Sequence, residues 1–263
     1  MARVTKKNYF SPEANNRYMS VSQYKRFCEC EAAALAEING TYERPMSSAL
    51  LMGSYVDEML TGTKKSIEKF IAENYSELYN SKDKPYADTI KANEAVEKIK
   101  KQPLMMEYLT GRHQKIMTGT IGGVEWKIKM DTYSPGKFIS DLKYMASLRS
   151  PNMFDSMVKY WNYIAQGAVY QEIVYQNTGE RLPFYLVIAT KEKPAHLEVC
   201  EIKQYDLDDE LKNIISRVER FQAIKDGIIP PERCEEYDCD YCTETRILDE
   251  PIDSNLLGLP RKL

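Results

Sequence analysis

From Val124 to Asp131 apolar side chains alternate with polar ones, and a second strand-like run, Phe138 to Lys143, follows the turn Ser134-Pro135-Gly136-Lys137. Such alternation on both sides of a Pro-Gly turn specifies two antiparallel strands joined by a short loop. With the turn centred on Gly136, Asp131 and Asp141 face each other. Directly opposed carboxylates repel and destabilise a sheet. A divalent cation held between them reverses the penalty, and hard oxygen ligands suit magnesium or manganese. The strand period of two sets Asp141 and Lys143 on one face and sends Leu142 into the core. Two acids and an ammonium therefore converge on one spot.

With 263 residues, 43% of them hydrophobic, the chain has enough apolar surface for a substantial core. No Pro/Gly/Ser linker, repeat or low-complexity run interrupts it, so a single domain over 1–263 is expected. The start, Met1 to Lys7, is basic but leads into no apolar run before Glu13, unlike a signal peptide. The longest apolar stretch, Phe184 to Ala189, is too short to span a bilayer, and a cytoplasmic protein without a membrane partner is expected. The net charge of -3 argues against a generally sticky nucleic-acid binder but leaves room for a local basic groove. Six cysteines in a cytoplasmic chain point to thiols or metal ligands rather than a disulfide framework.

Ser20 and Ser22 suit a helix start, and Tyr24, Phe27, Ala32, Ala33, Leu35 and Ile38 continue an amphipathic helix to Asn39-Gly40. A second helix is expected from Ser47 to Thr61 with Leu50, Leu51, Val56, Met59 and Leu60 as its apolar face, and Gly53 and Asp57 share a side of it. Residues 64–110 read as solvated helical faces with Ile90, Ala95, Val96 and Ile99 turned inward. A strand from Lys115 to Ile121 closes at Gly122-Gly123, ahead of the hairpin. From Pro151 the pattern is helical through Met157, Tyr160, Ile164, Ala168 and Val174. Strands Leu182 to Thr190 and Leu197 to Tyr205 follow, then a helix from Leu207 to Asp226 capped by Asp206 or Asp208. The tail carries Cys234, Cys239 and Cys242, whose Cys-x-x-Cys pair is metal-ligand spacing, and Cys30 could close a four-thiolate site for zinc or iron. Cys28 and Cys200 look structural. His113 and His196 are the only histidines and lie far apart in sequence, which argues against a histidine-based centre.

Asp131, a hairpin, then Asp141-Leu142-Lys143 resembles the PD-(D/E)xK nuclease superfamily. The surrounding pieces resemble its RecB-like and RecE-like exonuclease branch, often carried by phages. Ser20-x-Ser22-x-Tyr24-x-x-Phe27-x-x-Cys30 matches that branch's opening, Gln166-x-x-x-Tyr170 its Gln-x-x-x-Tyr, and Gly53-x-x-x-Asp57 its Gly-x-x-x-His with aspartate in place of histidine. The resemblance implies an α/β fold with a restriction-endonuclease-like core, a mixed central sheet flanked by helices. It divides the chain into a helical part over 1–112, a catalytic core over 113–228 and a cysteine-containing tail over 229–263. It implies that Asp131, Asp141 and the Leu142 backbone carbonyl, with Asp57, hold Mg2+ or Mn2+, that Lys143 handles the attacking water, and that Gln166 and Tyr170 position the substrate. Some relatives clamp their chain ends with a [4Fe-4S] cluster on one early and three late cysteines. Here the late spacing is Cys-x4-Cys-x2-Cys rather than Cys-x2-Cys-x5-Cys, and position 248 is leucine.

The implied activity is a metal-dependent exonuclease that resects duplex DNA with a free end for phage-type recombination, alongside a phage single-strand annealing protein; a homo-oligomer stays open, since the sequence shows no identifiable interface. The rivals are an endonuclease or RNA-cleaving enzyme of the same fold, a scaffold whose chemistry is the cysteine site, and a noncatalytic DNA-binding or assembly subunit. That last reading expects an acid or the lysine to have been lost, whereas Asp131, Asp141 and Lys143 are all present.

Overall fold

The computed structural model describes residues 3–44, 48–151, 155–234, 239–247, 251 and 254; Ser47, Leu248, residues 152–154 of the expected helical stretch and most of the tail lie outside them. Five helices come first among these: α1 (Pro12–Arg17), α2 (Val21–Glu29), α3 (Glu31–Ile38), α4 (Ser48–Thr61) and α5 (Lys64–Glu73). Next are α6 (Tyr75–Leu78), α7 (Ala87–Lys100) and α8 (Pro103–Tyr108), then strands β1 (Arg112–Ile121), β2 (Val124–Ser134) and β3 (Phe138–Met145). After α9 (Met157–Tyr160) and α10 (Tyr163–Thr178) come β4 (Phe184–Thr190), β5 (Leu197–Ile202), α11 (Gln204–Lys225) and α12 (Asp240–Glu244). The chain packs as two compact units, one of Met1–Arg44, Thr118–Lys127 and Lys212–Leu263, the other of Pro45–Met117 and Ile128–Leu211.

The strands form one sheet in the order β1-β2-β3-β4-β5. Gly122 and Gly123, both at positive φ, make the two-residue turn from β1 to β2. The second turn closes with the Lys137 N–H donating to the Ser134 carbonyl at 3.1 Å, and it sets the antiparallel register Thr132↔Ser140, Tyr133↔Ile139, Ser134↔Phe138. The paired residues run as far as Thr132↔Ser140; Asp131, expected to face Asp141 directly, instead meets β3 through its side chain, which accepts the Leu142 N–H. β3 pairs with β4 in parallel, which requires a crossover, and α9 and α10 supply it. β4 then pairs with β5 antiparallel, so the sheet is mixed.

In the second unit helices cover both faces of β3 and β4. Leu142 and Tyr144 pair with Val187 and Ala189 and join a buried cluster with Val56 of α4 and Val96 and Ile99 of α7. On the opposite face α10 comes so close at Gly167 that a Cβ there would stand 2.7 Å from the Phe184 ring and 2.8 Å from Leu207. The period of two thus leaves Asp141 and Lys143 on the α10 side. In the first unit Met19 bridges to Trp126, which is wholly buried, and the Phe27 ring stacks on Phe221 at 5.0 Å.

Several expectations are corrected. The helix expected from Ser20 to Gly40 is two helices broken at Cys30, which is extended at φ -162° and ψ 112°. Apolar periodicity runs straight across a one-residue break, so pattern alone does not register it. The stretch expected to run on as a helix through Tyr160 and Ile164 breaks at Asn162, left-handed at φ 48°, whose side chain restarts α10 by accepting the Ala165 N–H. Asp206 and Asp208 do not cap α11. The helix begins at Gln204, whose side-chain amide donates to Gln171 and Asp208 and draws the earlier residues into the first turn. Leu50 and Ile90 are exposed; Met52, Tyr55 and Val56 form the buried face of α4. Cys28 is exposed, which removes a packing role in the core.

Candidate active site

The strand alternation and the turn at Gly136 deliver Asp131, Asp141 and Lys143 to one place, and packing adds two helices. Gln166, one turn into α10, donates its amide N–H to Asp141 Oδ1 at 2.6 Å and accepts from the Lys143 ammonium at 3.1 Å. Lys143 Nζ stands 2.5 Å from the buried Asp141 Oδ2 in an ion pair. The Leu142 N–H donates to Asp131 Oδ2 at 3.1 Å, which holds that carboxylate against β3. Tyr163 offers its ring to the Lys143 ammonium at 4.8 Å. Tyr170 is one layer beneath: buried, it donates its hydroxyl to the Lys129 carbonyl at 3.0 Å, two residues before Asp131.

Asp57 reaches the same place from α4. The Gln114 amide donates to Asp57 Oδ2 at 2.9 Å and more weakly to Asp131 Oδ1 at 3.4 Å, so it bridges the two carboxylates. Thr61 donates to Asp57 Oδ1 at 3.3 Å from the next turn of α4. Gly53 leaves open space, with no described atom within 4 Å of where a Cβ would stand. Sequence reasoning missed Gln114. Its backbone sits at φ 53°, a left-handed conformation that costs a non-glycine residue energy and tends to persist where surrounding structure demands it. No local pattern signals it, because strand residues with that twist look ordinary in sequence.

The electrostatics follow from three carboxylates and one ammonium. Burial, then the neighbouring charges of Asp141 and Asp57, hold the Asp131 carboxyl well above the usual carboxylate range. Burial likewise raises Asp57, with Thr61 opposing it and Asp141 adding to it. Burial pulls the Lys143 ammonium down, but Asp141 and Asp131 outweigh burial and leave it above its ordinary value. Such crowding stands where a hard divalent cation finds its oxygen ligands, so the donor set fits magnesium or manganese.

The cysteines gather elsewhere, within the first unit. Cys30, Cys234, Cys239 and Cys242 bring their four sulfurs within 4.8 Å of one another. Burial, with the neighbouring sulfurs, pushes the Cys242 thiol up to about 12. Cys28 and Cys200 stay outside this group. The histidines take no central part: His113 meets the Asp131 carbonyl through its ring at 3.3 Å, and His196 lies at the surface beside Glu192.

No curated protein matches the chain. Among solved structures it is similar to a crystal structure described as "Putative exonuclease" from Eubacterium rectale, at 38% identity over 98% of this chain and 99% of that one, with a TM-score of 0.91. The mixed sheet, the hairpin acids with their lysine and this neighbour together make the chain a nuclease of the PD-(D/E)xK superfamily. No helix among the described residues is long and apolar enough to cross a membrane. A family model, the PDDEXK-like domain of unknown function DUF3799, matches residues 20–245, and the chain belongs to that family.

Proposed function

We propose that the chain is a divalent-metal-dependent DNA exonuclease of the RecB-like and RecE-like kind, which resects free duplex ends for phage-type recombination. The observation that carries this reading is the convergence of Asp57, Asp131 and Asp141 around Lys143 and Gln166. The exonuclease description of the Eubacterium rectale neighbour supports the choice of exo- over endonuclease action.

Asp57, Asp131, Asp141 and the Leu142 carbonyl would hold Mg2+ or Mn2+. When bound, the ion makes water more acidic and neutralises charge gathering on the phosphate oxygens. Lys143 is the chain's own contribution to water: its ammonium orients the nucleophile and spreads positive charge toward the scissile phosphate. The water oxygen bonds to phosphorus as it gives up a proton to solvent, the ester P–O bond opposite it breaks, and the departing oxygen takes a proton from solvent water. Gln166 holds Asp141 and Lys143 in mutual register, so both arrive in one geometry. Tyr170 fixes the β2 backbone ahead of Asp131 and thereby positions that acid. A single-strand annealing protein and further copies of the chain are the partners that this resection reading calls for.

The test is digestion of linear and circular duplex DNA by metal-free protein titrated with magnesium or manganese, beside Asp141→Ala. Metal-dependent loss of the linear DNA alone, absent in the variant, is the expected result. Loss of both substrates would make it an endonuclease, and binding without cleavage would make it a noncatalytic DNA-binding subunit.

A further inference from the structure

The four-cysteine group carries an inference that does not depend on the nuclease reading. Cys30 lies at the corner between α2 and α3, where its backbone is extended. Its sulfur sits 3.5 Å from that of Cys242, and those of Cys234 and Cys239 are also 3.5 Å apart. All four lie within 4.8 Å of one another.

Those separations distinguish a single tetrahedral ion from a [4Fe-4S] cluster. One tetrahedral ion with metal–sulfur bonds of about 2.3 Å spaces its four sulfurs about 3.8 Å apart. The observed distances bracket that value. A [4Fe-4S] cubane binds each thiolate to a different iron, so the cysteine sulfurs stand outside a core of four irons and four sulfides and must lie much farther apart. The gap enclosed by these four sulfurs is too small for that core. The Cys-x4-Cys-x2-Cys spacing departs from the cluster-binding pattern in the same direction.

The surroundings also suit a closed single-ion site. The Cys242 N–H donates to Cys239 Sγ at 3.4 Å, the kind of backbone bond that steadies a ligating thiolate. Cys30 and Cys242 are buried among Ala32, Ala33 and Tyr241, and Arg233 donates to the Cys242 carbonyl at 2.8 Å. Its guanidinium brings positive charge near a centre that four thiolates and one divalent ion would leave at a net charge of -2.

We propose that Cys30, Cys234, Cys239 and Cys242 hold one zinc ion in tetrahedral coordination, which ties the α2–α3 corner to the segment that carries α12. Four protein ligands leave no open position, so the ion is structural and takes no part in hydrolysis.

The experiment uses full-length protein produced with both zinc and iron available and purified without oxygen. Metal and acid-labile sulfide are measured per chain, and cobalt(II) is then exchanged into the site. The expected result is one zinc per chain, no labile sulfide, and the intense visible bands of cobalt in a four-thiolate tetrahedron. Cys234→Ser should weaken cobalt binding at least tenfold and shift those bands, while Cys28→Ser leaves both unchanged. Iron with labile sulfide, a single iron in place of zinc, or a chain that retains no metal and yields no thiolate cobalt spectrum would each overturn the proposal. The cobalt spectrum is read on the unmodified chain, so a variant that fails to fold does not blunt the test.

Discussion

Replacing Lys143 with methionine keeps an unbranched side chain of similar length and removes one charge. Three carboxylates then share the site without their ammonium. Asp141 is 4% exposed in its side chain and Lys143 21%, so the pair at 2.5 Å is largely shielded from water. Removing one partner of a buried pair costs about 3–5 kcal/mol, and the partial exposure of Lys143 puts this case near the lower end. For a chain of this size, about 3 kcal/mol lowers the thermal midpoint by about 6–12 °C. The assay is thermal unfolding in chelator, repeated with saturating magnesium. A cation among the same acids replaces the lost charge, so most of the deficit should vanish with magnesium while DNA cleavage stays absent. Adding Asp141→Asn should recover part of the loss, because the two changes act on one interaction. If Lys143→Met melts with the wild type in chelator and the double variant shows no coupling, the acids are not crowded, and the reading of this site as a cation site fails.

Two other changes probe quieter features. Gln114→Leu removes the amide that bridges Asp57 and Asp131, so metal-free protein should lose about 1.5–3 kcal/mol, as for a hydrogen bond to a charged group, and manganese should restore it; thermal unfolding with and without manganese reads both. Lys127 and Lys225 are each lowered to about 8, Lys127 by burial against the Tyr9 carbonyl and Asn15, Lys225 by burial and then by Lys127. A lysine whose folded pKa lies below its unfolded value disfavours the fold most at low pH, and the cost is relieved as pH rises from the folded value toward the unfolded one. The thermal midpoint should therefore rise between about pH 8 and 9.5, with about 2 kcal/mol from Lys127 alone, and Lys127→Met should flatten that slope.

The hairpin was legible because its determinants are local. Gly136 at φ 70° closes a short turn, the turn sets the register up to Thr132↔Ser140, and Asp131 and Asp141 lie just beyond that last pair on their two strands. The same period of two separates Leu142 from its neighbours. Gln166 and Asp57 were legible only through the order of motifs along the chain. Helical periodicity was legible as well, but not its interruptions: Cys30 and Asn162 break helices whose apolar pattern continues past them. Leu50 shows the converse error, an apolar residue of α4 left exposed among the described residues.

Sequence by itself determined the strand hairpin, the two acids and lysine that it presents, and the late cysteine spacing, because each depends on residues within one turn or one strand pairing. Only the tertiary structure decided that α4 carries Asp57 to the hairpin and that Gln114 bridges it to Asp131. It likewise brought Cys30 within 3.5 Å of Cys242 across an interval of 212 residues. Those encounters depend on how buried faces pack over long sequence separations. A residue's chemistry is written in the chain, but the neighbours that shift its charge or share its ion are chosen by the core.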